Sequence, residues 1–330
     1  MRGRAPWEGT HDGAGGARRP MTHDGEGKDP RPIAGPSGDG CPAGMGRVSH
    51  DGRNDMSGVP HIVMSNGVSI PQLGLGVFRN PDGDTTVSAV REALAAGYRH
   101  IDTAMIYGNE ASVGRGIRES EVPRREVFVT TKLWNDDIRQ GRTREAFLRS
   151  LDALGMDYVD LYLIHWPVEG WQKAWEDMVG LYEERRVRAI GVSNFQPHHL
   201  SELMDISSTR PVVDQIESSP QFPNNDTMSF ARSRRIDVEA WSPLGGTGGT
   251  LLEDPRLVDL TKRYGKSPAQ IVIRWHLQRG VIVIPKSTHP QRIRENIDVM
   301  DFSLTQADMA AVDALDSGSR VGPDPDHIDF

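Results

Sequence analysis

Four polar residues with complementary acid–base properties lie in the middle of the chain. Asp102, Lys132 and His165 each end a short apolar run, and Tyr107 follows Asp102 by five residues. A tyrosine beside a lysine ammonium can protonate an oxygen that gains negative charge, because the cation stabilises the remaining phenolate. An aspartate would keep the lysine charged, and a histidine would donate a hydrogen bond to the same oxygen. Hydride addition to a carbonyl carbon creates such an oxygen, so the set predicts carbonyl reduction.

Each of these residues has a simpler explanation when it is considered alone. Asp102 could cap a helix, and Tyr107 could pack at the surface with its hydroxyl in water. Lys132 could mark the solvated end of a strand, while His165 could be a hydrogen-bonded core residue. An accidental convergence of all four is a weaker explanation than a shared site. The predicted strands carry no cluster of His, Asp or Glu with metal-ligand spacing, so we expect no metal.

Short apolar runs alternate with longer amphipathic segments from Val59 onward, which indicates a parallel sheet with helical crossovers. The sequence Asn66-Gly67 between two apolar triplets predicts a β-hairpin ahead of this sheet. The predicted strands are 73–76, 99–102, 127–132, 161–165, 189–193, 212–217, 237–241 and 281–284. The clearest predicted helices are 84–96, 143–154, 171–184, 267–278 and 290–299, with starts marked by Thr85, Thr86, Thr143, Ser267 and Pro290.

Two architectures contain such an alternation, a closed (β/α)8 TIM barrel and an open, doubly wound sheet. The open sheet usually begins with Gly-x-Gly-x-x-Gly after its first strand. Gly74 and Gly76 lack the third glycine, and the glycines of 245–249 have the wrong spacing. We therefore predict an α/β TIM barrel preceded by the hairpin. Catalytic groups of such barrels lie at the carboxyl ends of the strands, which would bring the four polar residues to one rim.

Charge and cysteine content narrow the possible partners of this 330-residue chain. Its net charge is −8, and an acidic chain disfavours a nucleic-acid partner, which requires a basic face. Cys41 is the single cysteine, so an internal disulfide is excluded. Because no apolar run approaches the roughly 18 residues of a membrane span, we expect no membrane contact and a cytoplasmic location.

Residues 1–55 differ in composition from the rest of the chain. They are rich in Gly, Pro, Arg and Asp and contain few large apolar residues, so they cannot bury enough surface to offset the entropy of ordering. We predict a disordered tail at 1–55 and a barrel domain at 56–330. One hypothesis is that Met56 is the natural start and that the tail is not part of the native product.

Three long segments resemble the signature motifs of the aldo-keto reductase superfamily. They are 97–110, 156–167 and 284–296, they occur in the family's order, and the resemblance extends from about residue 59 to 326. It implies the (β/α)8 barrel, an NADPH cofactor bound without the glycine-rich motif, and a monomer. It also implies that Tyr107 is the general acid and that the Asp102–Lys132 pair tunes it.

The resemblance also assigns a set of cofactor-binding residues by position. Ser193, Asn194, Gln215 and the stacking aromatic Trp241 would hold the nicotinamide, and Leu244 and Gly245 the pyrophosphate. Lys286, Ser287 and Arg292 would bind the adenosine 2′-phosphate, with Glu295 and Asn296 at the adenine. Gly76, Val77, Phe78 and Ser242 complete the set. Cations beside a helix that starts near Pro290 favour a phosphate site on physical grounds as well. Asp214 departs from the family pattern, which has asparagine there.

Within the superfamily, the chain looks most like the bacterial 2,5-diketo-D-gluconic acid reductases. Phe78, Trp134 and Trp166 would form aromatic walls around a small-molecule carbonyl substrate. We expect NADPH-dependent reduction of aldehydes and ketones, with α-keto carbonyls and diketo sugars among them. Three alternatives stay open: a non-catalytic, NADPH-binding regulatory barrel, a lyase or isomerase with a Lys132 Schiff base, and a sugar-phosphate binder that uses 286–292.

Overall fold

A computed structural model describes residues 58–246, 249–328 and 330. The predicted tail at 1–55 and the hypothesis about Met56 lie outside these residues and stay predictions, as does the domain boundary at residue 56. Within the described part, parallel strands alternate with helices, and a β-hairpin comes first. This order is the one that the sequence predicts.

Eight parallel strands form the barrel. Strands that follow one another in the chain are adjacent in the sheet, and bridges from Leu73 to Val283 and from Gly76 to Lys286 join the first strand to the last. The sheet therefore closes on itself, and the predicted (β/α)8 barrel is confirmed. The strands are β3 Leu75–Gly76, β4 His100–Asp102, β5 Phe128–Leu133, β6 Val159–Ile164, β7 Val187–Ser193, β8 Val213–Glu217, β9 Asp237–Trp241 and β10 Ile282–Val283.

The predicted hairpin covers the amino-terminal end of the barrel. Its strands β1 (His61–Val63) and β2 (Ser69–Pro71) pair in antiparallel register, and Gly67 in the turn has a positive φ, which glycine adopts without strain. Met64 and Ile70 are buried in one apolar cluster with Phe128, which begins β5. The hairpin thus excludes water from the end opposite the predicted site.

Eleven α-helices lie in the described part of the chain. Ser267 caps its helix as predicted, since its hydroxyl accepts a hydrogen bond from the Gln270 amide. Thr143 is the first residue of its helix, as predicted, and Thr85 and Thr86 lie in the first turn of theirs; the residues before these two helices cap without a side-chain bond. The helices are α1 Asp84–Ala95, α2 Glu110–Glu119, α3 Asn135–Arg139, α4 Thr143–Leu154, α5 Trp171–Glu183, α6 Pro197–Ile206, α7 Asn225–Ser233, α8 Pro255–Tyr264, α9 Pro268–Gln278, α10 Pro290–Ile297 and α11 Gln306–Asp313.

None of the helices formed by the described residues has the length and apolar character needed to cross a membrane. The predicted cytoplasmic location stays a prediction.

Candidate active site

Three neighbouring strands deliver the polar residues to the carboxyl end of the barrel. Asp102 is the last residue of β4, and Lys132 is the last but one of β5. His165 was expected to end a strand, but β6 ends at Ile164 and His165 is the first residue beyond it. Tyr107 ends a 3-10 turn, Met105–Tyr107, that follows β4. The four residues therefore come together through the order of adjacent strands.

A buried ion pair forms the base of the site. The Lys132 Nζ donates to Asp102 Oδ1 at 2.6 Å and Oδ2 at 2.8 Å, and to the Thr103 carbonyl at 2.9 Å. The Gln215 amide donates to Asp102 Oδ2 at 2.9 Å. Burial disfavours the charged lysine, but Asp102 and Tyr107 outweigh burial and raise the pKa of Lys132. Lys132 therefore stays an ammonium at neutral pH although its side chain is fully buried.

Tyr107 lies directly over this pair. The Lys132 Nζ is 5.2 Å from the centre of the Tyr107 ring, and the His165 ring centre is 5.8 Å from it. Burial raises the pKa of Tyr107, and Lys132 opposes that rise without reversing it. Lys132 thus favours the phenolate, as the sequence predicts, but burial is the larger effect and decides the net direction of the pKa shift. Tyr107 carries its proton at neutral pH.

His165 is a neutral, buried imidazole. Its residue is 8% exposed, and its Nδ1 has no hydrogen-bond partner within the described part of the chain. Burial, followed by the charge of Lys132, lowers the pKa of His165 well below its ordinary value. Such a ring can donate a hydrogen bond but adds no charge to the site. The simpler explanation, a fully hydrogen-bonded core histidine, does not fit the free Nδ1.

Aromatic side chains surround Tyr107 and His165. Phe78 lies 5.0 Å from the ring centre of Tyr107, and Trp134 lies 5.1 Å from that of His165. Trp166 is also near His165, with ring centres 6.4 Å apart. The structure therefore brings the three predicted substrate residues to the four polar ones. Phe78 is half exposed, so this wall faces solvent and is accessible to a ligand.

Phe330 belongs to the same aromatic group, which sequence reasoning missed. Its ring stacks on Trp134 at 5.8 Å and meets the edge of Trp166 at 5.6 Å. The Asn135 and Arg139 side chains donate to its carbonyl oxygen. Nothing in the residues around Phe330 signals this position, because the contact depends on how the last segment returns across the barrel.

The residues predicted to hold a nicotinamide form one hydrogen-bonded group. Asn194 Oδ1 accepts from the Trp241 indole at 2.8 Å, while its Nδ2 donates to Ser193 Oγ and to the His165 carbonyl. Ser193 Oγ in turn donates to the Gln215 carbonyl at 2.8 Å. Ser193 and Trp241 end β7 and β9, Asn194 directly follows β7, and Gln215 lies in the middle of β8, where its amide donates to Asp102. An amide-bearing ring at this place would meet several donors and acceptors and the face of an indole.

The residues that directly follow β7 and β9 have strained backbones. Asn194 and Ser242 both have a positive φ, in the left-handed region that non-glycine residues rarely adopt. Such strain persists only where the surroundings hold it in place, and it is concentrated at functional sites. Ser242 begins the turn that contains Leu244 and Gly245, and the Gly245 amide donates to the Ser242 carbonyl. The turn presents backbone to the same rim.

The predicted phosphate-binding residues follow β10. Lys286 is paired with Gly76 by a backbone bridge, which places it beside Gly76-Val77-Phe78. The side chains of Lys286 and Arg292 are exposed and have no hydrogen bond or ion pair with any other described residue. Unpaired cations flanking the start of α10 fit a phosphate ester, because the helix amides add to their attraction. The residues present thus fit the phosphorylated end of a dinucleotide.

The remaining cofactor candidates differ in whether their side chains are free to contact a ligand. Ser287 and Asn296 are buried, and Ser287 Oγ accepts from the His289 amide. Glu295 already accepts a hydrogen bond from Gln291 on its own helix. The Val77 side chain is buried in the core, so the chain around it offers a ligand mainly its backbone and the neighbouring Phe78.

Asp214 behaves as a neutral substitute for the expected asparagine. It is fully buried on β8, and burial raises the pKa of Asp214 well above its ordinary value. Its Oδ1 accepts a 3.4 Å hydrogen bond from the Phe195 amide. A protonated carboxyl group has nearly the shape and charge of an amide, so this departure leaves the neighbouring Gln215 in place.

A second polar cluster lies at the start of α6. His198 and His199 place their Nε2 atoms 3.3 Å and 3.7 Å from Asp326 Oδ1. The three side chains could surround a metal ion by distance alone. However, His199 Nδ1 accepts from the Gln196 amide, so in the neutral ring Nε2 bears the proton and has no lone pair for a metal. His198 is solvent-exposed, whereas His199 is half-buried and caps the helix through this bond.

Residues 72–317 match the aldo/keto reductase family, and the chain belongs to this family. It is 51% identical over 269 residues to the 9,11-endoperoxide prostaglandin H2 reductase of Trypanosoma cruzi, covering 81% of this chain and 95% of that protein. It is 46% identical over 270 residues to methylglyoxal reductase DkgA of Escherichia coli, covering 81% and 97%. The resemblance that the three sequence motifs carry is thereby confirmed.

Solved structures agree with this assignment. The barrel is similar to that of an aldo-keto reductase from Bombyx mori solved in complex with NADP, with a TM-score of 0.76 and 39% identity. The match covers 81% of this chain and 96% of that one.

Proposed function

We propose that this protein catalyses the NADPH-dependent reduction of small aldehydes and ketones to alcohols, with Tyr107 as the general acid. The observation that carries the proposal is the buried Asp102–Lys132 pair beneath Tyr107, with a neutral His165 beside it. This arrangement provides one proton donor and one uncharged hydrogen-bond donor at a single point on an aromatic-walled rim. A developing alkoxide at that point would meet both.

Each of the four residues has a separate task in this proposal. His165 donates a hydrogen bond to the carbonyl oxygen of the substrate and orients it. Tyr107 transfers its proton to the same oxygen as charge develops there. Lys132 stabilises the phenolate that remains, and Asp102 keeps Lys132 charged inside the barrel. A bound nicotinamide supplies the hydride.

The cofactor would lie along the rim from Trp241 to α10. Trp241 offers an indole face, with Ser193, Asn194 and Gln215 as hydrogen-bonding partners for the nicotinamide amide. The unpaired Lys286 and Arg292 would receive the 2′-phosphate that distinguishes NADPH from NADH. The NADP complex of the Bombyx mori relative supports this choice of cofactor.

The substrate class follows from the aromatic walls and the relatives. Phe78, Trp134 and Trp166 suit small, flat carbonyl compounds, and the Escherichia coli relative is named a methylglyoxal reductase. We infer activity on α-keto aldehydes, other aldehydes and α-keto carbonyls, and on 2,5-diketo-D-gluconate. A monomeric state stays a prediction.

The test is NADPH oxidation monitored with methylglyoxal, a nitrobenzaldehyde and 2,5-diketo-D-gluconate. Turnover with at least one carbonyl is expected, with methylglyoxal and the nitrobenzaldehyde as the stronger substrates. If NADPH quenches tryptophan fluorescence while no carbonyl is reduced, the alternative of a non-catalytic NADPH-binding barrel replaces the proposal.

A further inference from the structure

A second carboxyl group lies inside the barrel close to the tetrad of Asp102, Tyr107, Lys132 and His165, and it has no part in the chemistry above. Glu239 is the third residue of β9, fully buried, and in register with Gln215 of the neighbouring strand. Neither of its carboxyl oxygens has a hydrogen-bond partner among the described residues. A buried, unpartnered carboxyl group costs considerable free energy, so its retention inside the barrel calls for a reason.

The neighbours of Glu239 connect it to the tetrad. The Nε2 of the fully buried His100 lies 3.8 Å from Glu239 Oε1 and 3.1 Å from Thr130 Oγ1. The Gln215 amide is near enough to lower the pKa of Glu239 in part, but it donates to Asp102 instead. The barrel wall also leaves room for His100 itself. A Cβ at Gly74 would lie 2.6 Å from His100 Nδ1, so only glycine at that position accommodates the imidazole.

The charges around Glu239 decide its protonation state. The facing titratable groups are His100 and Asp102 from β4, Tyr107 from the turn after it, and Lys132 from β5. Strand β8 contributes the Gln215 amide, and β10 pairs through the apolar Ile282. Burial and the charge of Lys132 lower the pKa of His100 to about 3, so His100 is neutral and cannot balance a second carboxylate.

Lys132, the buried cation beside Glu239, is already matched by Asp102. Burial, followed by the negative charge of Asp102, raises the pKa of Glu239 to about 8. The state of lowest free energy at neutral pH is therefore a protonated, uncharged Glu239 beside an intact ion pair. At alkaline pH the same group adds one negative charge inside the barrel.

We propose that Glu239 is a positioning residue for the proton transfer, and that its charge state controls how readily Tyr107 releases its proton. This inference rests on the proposed function, since it needs Tyr107 as the acid. An ionised Glu239 disfavours the phenolate and raises the pKa of Tyr107. It also stabilises the Lys132 ammonium. Tyr107 therefore stays protonated, and able to act as the acid in reduction, up to a higher pH than it would without Glu239.

The direct test is the Glu239→Gln variant, assayed for carbonyl reduction and for alcohol oxidation between pH 6 and the alkaline limit of folding. The amide mimics the protonated state and cannot ionise. The rate of reduction should therefore begin to fall, and the rate of oxidation begin to rise, at a pH that is lower by about half a unit or more than in the parent protein. The substrate KM should stay within about twofold, because Glu239 is fully buried inside the barrel.

Asp237→Asn is the matched control, an acid-to-amide change on the same strand. Asp237 is half-buried, and its charged neighbour is Arg232 rather than the tetrad. It should leave both pH profiles in place. If Glu239→Gln lowers turnover equally at every pH without moving either profile, or if Asp237→Asn moves both profiles as far, the inference is wrong.

An infrared titration of the protein without substrate separates this inference from the proposed function. One protonated-carboxyl stretch, additional to that of Asp214, should disappear as the pH rises through about 8. The same band should be absent from Glu239→Gln, and from Glu239→Met if the amide variant fails to fold. Loss of all activity in the parent protein would refute the proposed function alone, whereas an unchanged band in the Glu239 variants refutes the role of Glu239.

Discussion

In the proposed mechanism, the buried Asp102–Lys132 pair has a catalytic and a structural role at once. Each charge is acceptable inside the barrel only because the other is present, together with the Thr103 carbonyl and the Gln215 amide. Removal of one member leaves an uncompensated buried charge, while removal of both leaves none. The two roles can therefore be separated by comparing single and double variants.

Lys132→Met should lose stability and activity together. The unpaired Asp102 should lower the free energy of unfolding by about 3–5 kcal/mol, and turnover should fall at least about 100-fold. In the double variant Asp102→Asn, Lys132→Met, the stability should largely return but the activity should not. Urea denaturation and steady-state assays give both quantities. A double variant that stays as unstable as the single one would contradict the ion-pair account.

Single residues were predictable where a motif or a position at a strand end marks them. Asp102, Tyr107 and Lys132 fall into that class, and the structure brings them together with His165. Glu239 was missed, although an inward-facing glutamate between Val238 and Ala240 was a readable signal. Phe330 had no such signal, because its stacking on Trp134 joins two segments that are far apart in the sequence.

At the scale of elements, the site depends on strand ends and on one helix start. The strands were located closely at most positions because their β-branched and apolar runs are short and bounded by turn residues. Cap positions were less predictable. Thr143 correctly marks the start of α4, but Arg142 before it takes the cap position, since that choice depends on a backbone bend that sequence alone does not reveal.

Helix α10 permits a matched test of phosphate recognition. Arg292→Ala should weaken NADPH binding at least about tenfold and NADH binding little, because only NADPH carries the 2′-phosphate and a charge-assisted contact is worth about 1.5–3 kcal/mol. Arg294 lies on the same helix but pairs with Glu92 of α1. Arg294→Ala should therefore leave both affinities almost unchanged in a fluorescence-quenching titration. Equal losses for NADPH and NADH in Arg292→Ala would refute the assignment.

At the scale of the whole molecule, burial of neutral histidines makes stability depend on pH. His276 is fully buried in α9, and burial, followed by the nearby Arg279, lowers the pKa of His276 to about 3. The unfolded chain binds a proton at this residue near pH 6.5, whereas the native state does not until about pH 3. The contribution of the neutral, buried His276 to stability is therefore complete above pH 6.5 and is lost as the pH falls towards 3.

His276→Phe should reduce this acid sensitivity. Between pH 7 and pH 4.5 the parent protein should lose about 2–3 kcal/mol more unfolding free energy than the variant, which corresponds to one proton over about two pH units. Urea denaturation at both pH values measures the difference. Equal losses in the two proteins would mean that His276 does not titrate on unfolding.

The overall architecture was the most predictable level. The sequence alone predicts the barrel from three features: alternating strands and helices, the absence of the dinucleotide glycine motif, and three ordered signature segments. Closure of the sheet between β3 and β10 is a global property, because it requires Gly76 to pair with Lys286 from the opposite end of the barrel sequence. The electrostatics of the site also depend on the whole fold, which is why burial, and not the neighbouring Lys132, decides the direction in which the pKa of Tyr107 shifts.

The central claim, that Tyr107 is the proton donor of an NADPH-dependent carbonyl reductase, has one direct test. Tyr107→Phe removes a single hydroxyl and preserves the ring that contacts Phe78 and His165. Turnover of methylglyoxal should fall at least about 100-fold while the NADPH dissociation constant, from fluorescence quenching, changes less than about twofold. A variant that binds NADPH normally and retains turnover close to that of the parent protein would contradict the account.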